Sequence, residues 1–264
     1  MHDYADHQAS GLASFARSRG ARLAAMVSHG DKVSELSLLW RLCLTWVELG
    51  YPVTVLDAGS RESLENPGLE QLLDFPHTPL LHHQDSTVWN VMPAADGLRT
   101  LLQPPELRVD ITQRFAGLFP DDSVVLVYGN AGVLSQLLTE HALQPLMVVS
   151  SARESLLSSY QALKRLMRAP GLVPLVIDQS AQRSRDAVRQ PSAAETLADC
   201  AKNFLSLDLP RVHLPSLQDE ASAALDLQGL ALRVLENALP LHGRWTQPAS
   251  SGAMMNARSF SRSY

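Results

Sequence analysis

The chain has 264 residues, 45% of them hydrophobic, and a formal net charge of −5. That length suits one large α/β domain or two small ones, with enough chain to bury a substantial core. The hydrophobic share is that of a soluble globular protein, and the acidic balance leaves no nucleic-acid footprint.

No basic region followed by an apolar stretch marks a signal peptide. No uncharged apolar run reaches the ~18 residues that span a bilayer. Cys43 and Cys200 fall inside apolar helical patterns and read as buried free thiols, which suits a cytoplasmic protein.

In chain order, the first twenty residues are polar, with Ala9, Leu12, Phe15 and Ala16 at helical spacing. Such a helix is too short and too polar to be stable alone. Ala24–Val27 then leads as a strand into Ser28-His29-Gly30-Asp31. A nearly continuous apolar helix from Val33 to Leu49 stops at Gly50, where a helix C-terminus prefers glycine. Val53-Thr54-Val55-Leu56 follows as a buried strand ending on Asp57. A strand, loop, helix and strand of this length form a βαβ crossover, so the sheet is expected to be parallel with right-handed connections.

After Asp57 a polar loop precedes a short helix expected to start near Pro67, a favoured first helical position. His77, His82 and His83 invite a metal reading, but their spacing fits no helical i,i+4 pair, and no Cys or third clustered ligand completes a site. No metal is expected. Thr87–Pro93 reads as the next strand, Ala94–Gly97 as a turn into a helix, and Arg108–Leu118 as a further helix. Asp122–Val127 carries β-branched residues on both faces, as a central parallel strand requires. Gly129 and Gly132 then permit a tight strand-to-helix turn.

Pro145–Val149 is expected as a strand, and Ser151 with Glu154 as a capping box for a helix through Met167. Val173–Ile177 is a strand, Ala181–Pro191 a charged loop, Ala193–Leu205 a helix and Arg211–Leu214 an edge strand. A closing helix over Ala221–Leu239 is ended by Pro240. From Gly243 onward the composition is that of a disordered tail, with three arginines and no acids.

The segment Ala24–Gly59 resembles the opening unit of the MinD/ParA ATPases, with their KGGVGKT loop, a helix ending "ELG" and a strand ending "LLDAD". Aligning Glu48-Leu49-Gly50 and Leu56-Asp57-Ala58 with those ends needs no gap. Gly30 then stands at the first lysine, Asp31 and Lys32 at the paired glycines, and Ser34 at the later glycine. Glu35 falls on the second lysine and Leu36 on the threonine. The resemblance implies a single doubly wound, mostly parallel α/β sheet with helices on both faces, of the P-loop NTPase-like MinD/ParA type. It also implies a degenerate nucleotide site. Glycines let backbone N–H groups close on phosphate, a lysine neutralises charge and a hydroxyl holds magnesium. Side chains at Asp31, Lys32 and Ser34 hold a phosphate off. Glu35 turns attraction into repulsion, a term of about 4 kcal/mol at ~4 Å and a dielectric of ~20.

The other family positions follow the same course. The aspartate two residues after Asp57 is replaced by Gly59, leaving Asp57 alone. The strand that ends "IIDTGAG" in the family ends Val127-Tyr128-Gly129-Asn130 here, so the phenol of Tyr128 replaces the acid that holds the magnesium water. The adenine-contacting asparagine is Asp178. No catalytic residue is expected, and no cofactor, with ATP and magnesium bound only if the degenerate loop still holds them.

Gln8-Ala9-Ser10-Gly11-Leu12 is similar to the DQAxGLR-type segment of the flagellar number and placement regulators (FlhG, also called FleN). In that family it is a helix that docks on FlhF, a signal-recognition-like GTPase. The resemblance therefore implies a pseudo-ATPase regulator of flagellar number or placement, with Gln8, Ala9, Gly11 and Leu12 contacting an FlhF-like GTPase or flagellar switch proteins. Three parts are expected: a partner-binding helix or tail over 1–20, a MinD/ParA-like α/β domain over 21–242 and a tail over 243–264. Since ATP glues the family dimer, a dead site predicts a monomer or a nucleotide-independent dimer. Membrane association is expected to be weak or absent. Two other readings stay open. One is a weak ATPase using a shifted loop with Lys32 and Asp57. The other is an adaptor of another surface apparatus, such as cellulose secretion.

Overall fold

The computed structural model describes residues 20–76, 89–103, 110–139, 141–169, 171–179, 191–214 and 220–241. Its strands are β1 (Ala21–Ser28), β2 (Val53–Asp57), β3 (Trp89–Pro93), β4 (Val124–Asn130), β5 (Leu146–Val149), β6 (Leu175–Asp178), β7 (Arg211–His213) and β8 (Leu239–Leu241). The helices are α1 (Lys32–Glu48), α2 (Leu69–Asp74), α3 (Ala95–Leu101), α4 (Ile111–Phe115), α5 (Ala131–Leu137), α6 (Arg153–Leu166), α7 (Ala193–Leu205) and α8 (Glu220–Asn237).

The strands form one eight-stranded sheet in the order β3-β2-β4-β1-β5-β6-β7, with β8 paired to β1. All pairs along that path are parallel. β1 and β4 lie at the centre, and both are apolar nearly throughout because both their faces are covered. Alternation along β1 divides the core in two. Leu23, Ala25 and Val27 face one layer with Leu98, Phe115, Leu134, Leu163 and Leu197 of α3 to α7. Ala24 and Met26 face the other, with Leu38, Leu42 and Trp46 of α1 and Leu230 and Leu235 of α8. Helices thus cover both faces, as the sequence led one to expect. No helix among the described residues is long and apolar enough to cross a membrane.

Several local expectations are corrected. The first strand starts at Ala21, three residues before the run of small side chains. α2 starts at Leu69, not near Pro67, because Gly68 caps it and donates its N–H to Gln71 Oε1 at 2.7 Å. Ala95-Asp96-Gly97 is already the first turn of α3, held by the Glu62 carboxylate, which accepts from the N–H groups of Asp96 and Gly97 at 2.8 and 2.9 Å. Ser151 caps nothing: the N-cap of α6 is Ala152, and the neighbouring hydroxyls work instead, Ser150 N–H donating to Ser155 Oγ at 3.1 Å. The capping box lies at α7, where Ser192 and Glu195 exchange bonds of 3.0 and 2.7 Å. The helix expected over Arg108–Leu118 spans only Ile111–Phe115 among the described residues.

The closing helix ends at Asn237, and Pro240 lies inside β8, antiparallel to β1 with Arg22 opposite it. A proline lacks the ladder N–H, so it is tolerated in this short strip at the end of the sheet.

Candidate functional site

In open parallel sheets ligands bind beyond the carboxyl ends of the strands. Here that rim is formed by the ends of β2, β4, β1, β5 and β6. The loop from His29 to Asp31 leaves β1 and enters α1 at the centre of the rim. Gly30 holds φ at +115°, a left-handed conformation that favours glycine. Asp31 is the N-cap of α1, accepting from Ser34 N–H at 3.4 Å. Its other oxygen accepts from the Ser150 hydroxyl at 2.6 Å, which ties the loop to the end of β5. Partial burial pushes the Asp31 carboxyl up, but the hydroxyls of Ser150 and Ser155 and the bonds from Ser34 outweigh it and hold it below its usual range.

Glu35 occupies the middle of this loop. Its side chain is fully buried, although it sits in the first turn of a surface-facing helix. Oε1 accepts the backbone N–H groups of His29 and Gly30 at 2.9 and 3.0 Å. Oε2 accepts the Tyr128 hydroxyl at 2.5 Å. The His29 ring closes the cluster, with Nε2 3.5 Å from Glu35 Oε1 and 2.7 Å from the Val148 carbonyl. Because a carbonyl can only accept, Nε2 carries a proton. Nδ1 lies 2.9 Å from Ser158 Oγ. One carboxylate therefore satisfies two backbone donors of the loop and the phenol from the neighbouring strand.

Tyr128 reaches Glu35 because β1 and β4 are in register with Met26 beside Tyr128. Burial above all, then the hydrogen bond to Glu35 and its charge, pushes the phenol up from its ordinary range, so it stays a donor. Gly129 is needed for a different reason: a Cβ there would lie 2.9 Å from Ala58 Cβ, where β2 and β4 end side by side. Replacing Tyr128 with phenylalanine should cost about 1.5–3 kcal/mol, the price of one hydrogen bond to a charged group. A urea midpoint unchanged from the parent chain would refute that.

The remaining candidates are not gathered at this cluster. Lys32 is exposed on the first turn of α1, and Leu36 is exposed on its outer face. Ser34 is half-buried. Asp57, at the end of β2, turns its oxygens to Gly59 N–H at 2.9 Å and to the Ser60 hydroxyl at 2.6 Å, closing its own loop. Asp178 ends β6, two strands from β1, with Oδ2 3.7 Å from His213 Nδ1. Gln8, Ala9, Gly11 and Leu12 lie outside the described residues, as do His77, His82 and His83. Both cysteines are free, Cys43 buried and Cys200 half-buried. Sequence reasoning missed His29 and Ser150. Their only signal was polarity at the ends of two apolar strands.

No family model matches the chain, and no curated protein matches it. Solved structures do. Cobyrinic acid a,c-diamide synthase from Mycobacterium smegmatis, with a bound ATP analog and magnesium, is 16% identical with a TM-score of 0.52, covering 82% of this chain and 95% of that one. The MinD cell division protein of Aquifex aeolicus is 14% identical with a TM-score of 0.49, covering 84% and 99%. A ParA family ATPase from Chlorobium tepidum is 17% identical with a TM-score of 0.46, covering 83% and 93%. At these identities the likeness to the synthase shows the fold alone: a single, mostly parallel α/β sheet flanked by helices.

Proposed function

We propose that this chain is a MinD/ParA-type protein that no longer switches on ATP and acts by contact, as a cytoplasmic pseudo-ATPase regulator. One observation carries the first half of that reading. The Glu35 carboxylate, at the position of the family loop's second lysine, is buried and turned back into the loop, where it accepts the N–H groups of His29 and Gly30. An anion entering there would meet a buried negative group instead of a lysine. Tyr128, at the position of the family's magnesium acid, donates to that same carboxylate, so the two substitutions support each other. The residues present do not fit a triphosphate with magnesium. The shifted-loop alternative would need Lys32 turned toward the loop, whereas it is exposed.

The second half rests on sequence. The similarity of Gln8-Ala9-Ser10-Gly11-Leu12 to the segment of flagellar number and placement regulators supports an FlhF-like GTPase as the partner. The alternative adaptor role in another surface apparatus has no residue in its favour beyond the shared resemblance.

Titration of the full chain with ATP and magnesium should give no heat up to about 1 mM, a limit equivalent to roughly −4 kcal/mol. Binding that disappears in Lys32→Ala would overturn the reading in favour of the shifted loop. For the partner, deleting Met1–Arg17 should abolish binding to the FlhF-like GTPase. Unchanged binding would remove Gln8 and its neighbours from the interface.

A further inference from the structure

Among the described residues, α1 exposes more large apolar side chains than any other helix. Val33, Leu36, Trp40 and Leu44 are 85%, 48%, 53% and 39% exposed. At about 100° per residue they form one row along the helix, which half-buried Val47 continues. The row lies opposite Leu38, Leu42 and Trp46, which face the sheet. β3 adds to it. Val91 is in register with Val55, which packs under α1, and is 55% exposed. The Trp89 ring, two residues earlier on the same side of β3, meets Trp40 edge-on with centroids 4.9 Å apart. α8 packs against α1 on the same face of the sheet and leaves Leu225 and Leu232 71% and 38% exposed. A helix apolar all round is a covered helix, and an apolar patch of this kind marks an interaction site.

We propose that a second copy of this chain covers the face, with α1 packed antiparallel on its own image across a two-fold axis at Trp40. The order of residues along the row supports that occupant. Leu36 and Leu44 each stand four residues from Trp40, and Val33 and Val47 each stand seven. An antiparallel copy therefore sets Leu36 against Leu44 of the other chain and Val33 against its Val47, so the surface is complementary to itself.

The charges fix the direction. Exposed Lys32 and exposed Glu48 stand eight residues before and after Trp40. Antiparallel packing puts one of each at both ends of the pair, whereas parallel packing would gather lysine with lysine and glutamate with glutamate. The size is adequate as well. α1 is about 25 Å long, and with β3 and α8 beside it the layer is roughly 25 Å across, the scale of the ~800 Å² that each partner of a standard interface buries. The face lies on the flank of the sheet and not at the rim, so the pairing needs no nucleotide. The inference goes beyond the function proposed above and does not rest on it.

Sedimentation of the full chain without nucleotide should show a monomer–dimer equilibrium that shifts with concentration. Leu36→Asp with Leu44→Asp should leave only monomer, still folded by circular dichroism because both positions are exposed. A parent chain that stays monomeric would overturn the proposal by giving the face to another occupant. A dimer that survives the double substitution would overturn it too. The register is read separately, in chains carrying Cys200→Ser. Leu36→Cys and Leu44→Cys, each alone, hold like thiols about 12 Å apart along the axis, beyond disulfide reach, whereas a mixture of the two brings unlike thiols face to face. The buried Cys43 thiol, pushed up to about 12 by burial, does not compete. Oxidation with diamide should link the mixture into a covalent dimer and leave each single variant unlinked. A link in either variant alone, or none in the mixture, would overturn the two-fold at Trp40.

Discussion

Replacing Glu35 with alanine should lower the melting temperature by on the order of 10 °C. Removing one partner from a buried charged cluster costs about 3–5 kcal/mol, and a chain of this size loses ~2–4 °C for each kcal/mol. The loss is large because three donors are stranded together: the N–H groups of His29 and Gly30 and the Tyr128 hydroxyl. Water cannot repair it without entering a fully buried position. Glu35→Gln should recover roughly half, since its carbonyl still accepts from the backbone pair while its amide can only donate toward the phenol oxygen. Scanning calorimetry decides the matter. A Glu35→Ala chain melting with the parent would mean that the carboxylate is not the keystone of the loop.

Trp46→Ala should be comparably damaging, at about 3–5 kcal/mol. The indole is fully buried between α1 and α8, and its N–H donates to the Ala231 carbonyl at 3.1 Å. α1 and α8 cover the same face of the sheet, so this bond joins the two halves of that layer. Trp46→Phe separates the contributions: it keeps most of the volume and should cost about 0.5–1.5 kcal/mol for the lost hydrogen bond to the Ala231 carbonyl. Equal urea midpoints for the two variants would show that packing volume is not what matters there.

How much of this was legible beforehand varies with the distance over which the residues interact. The β1-α1-β2 unit could be read because a strand period, a glycine stop and a second apolar run all lie within a short window. Glu35 was legible as a misfit, a carboxylate inside an apolar helix, and Tyr128 as a phenol ending a buried strand. Their bond was not, because it depends on β1 pairing with β4, a choice made by the whole sheet. The capping box at α7 obeys the S-x-x-E rule, and so does Ser151 with Glu154. The latter fails because the Ser150 hydroxyl is drawn to Asp31 and the helix enters through Ala152. β8 left no trace at all: Leu-Pro-Leu has neither length nor alternation, and its place is set by an opening beside β1.

That strip has a consequence for how the molecule is made. On the side away from β4, the lower rungs of β1, from Ala21 to Leu23, find their partner in Leu239–Leu241, roughly 200 residues later. At translation rates of about 5–20 residues per second, a newly made β1 waits ~10–40 s on the ribosome before those rungs can be zipped. The central strand is thus completed long after it is made, and a nascent chain stalled ahead of Leu239 carries an open seam at its heart.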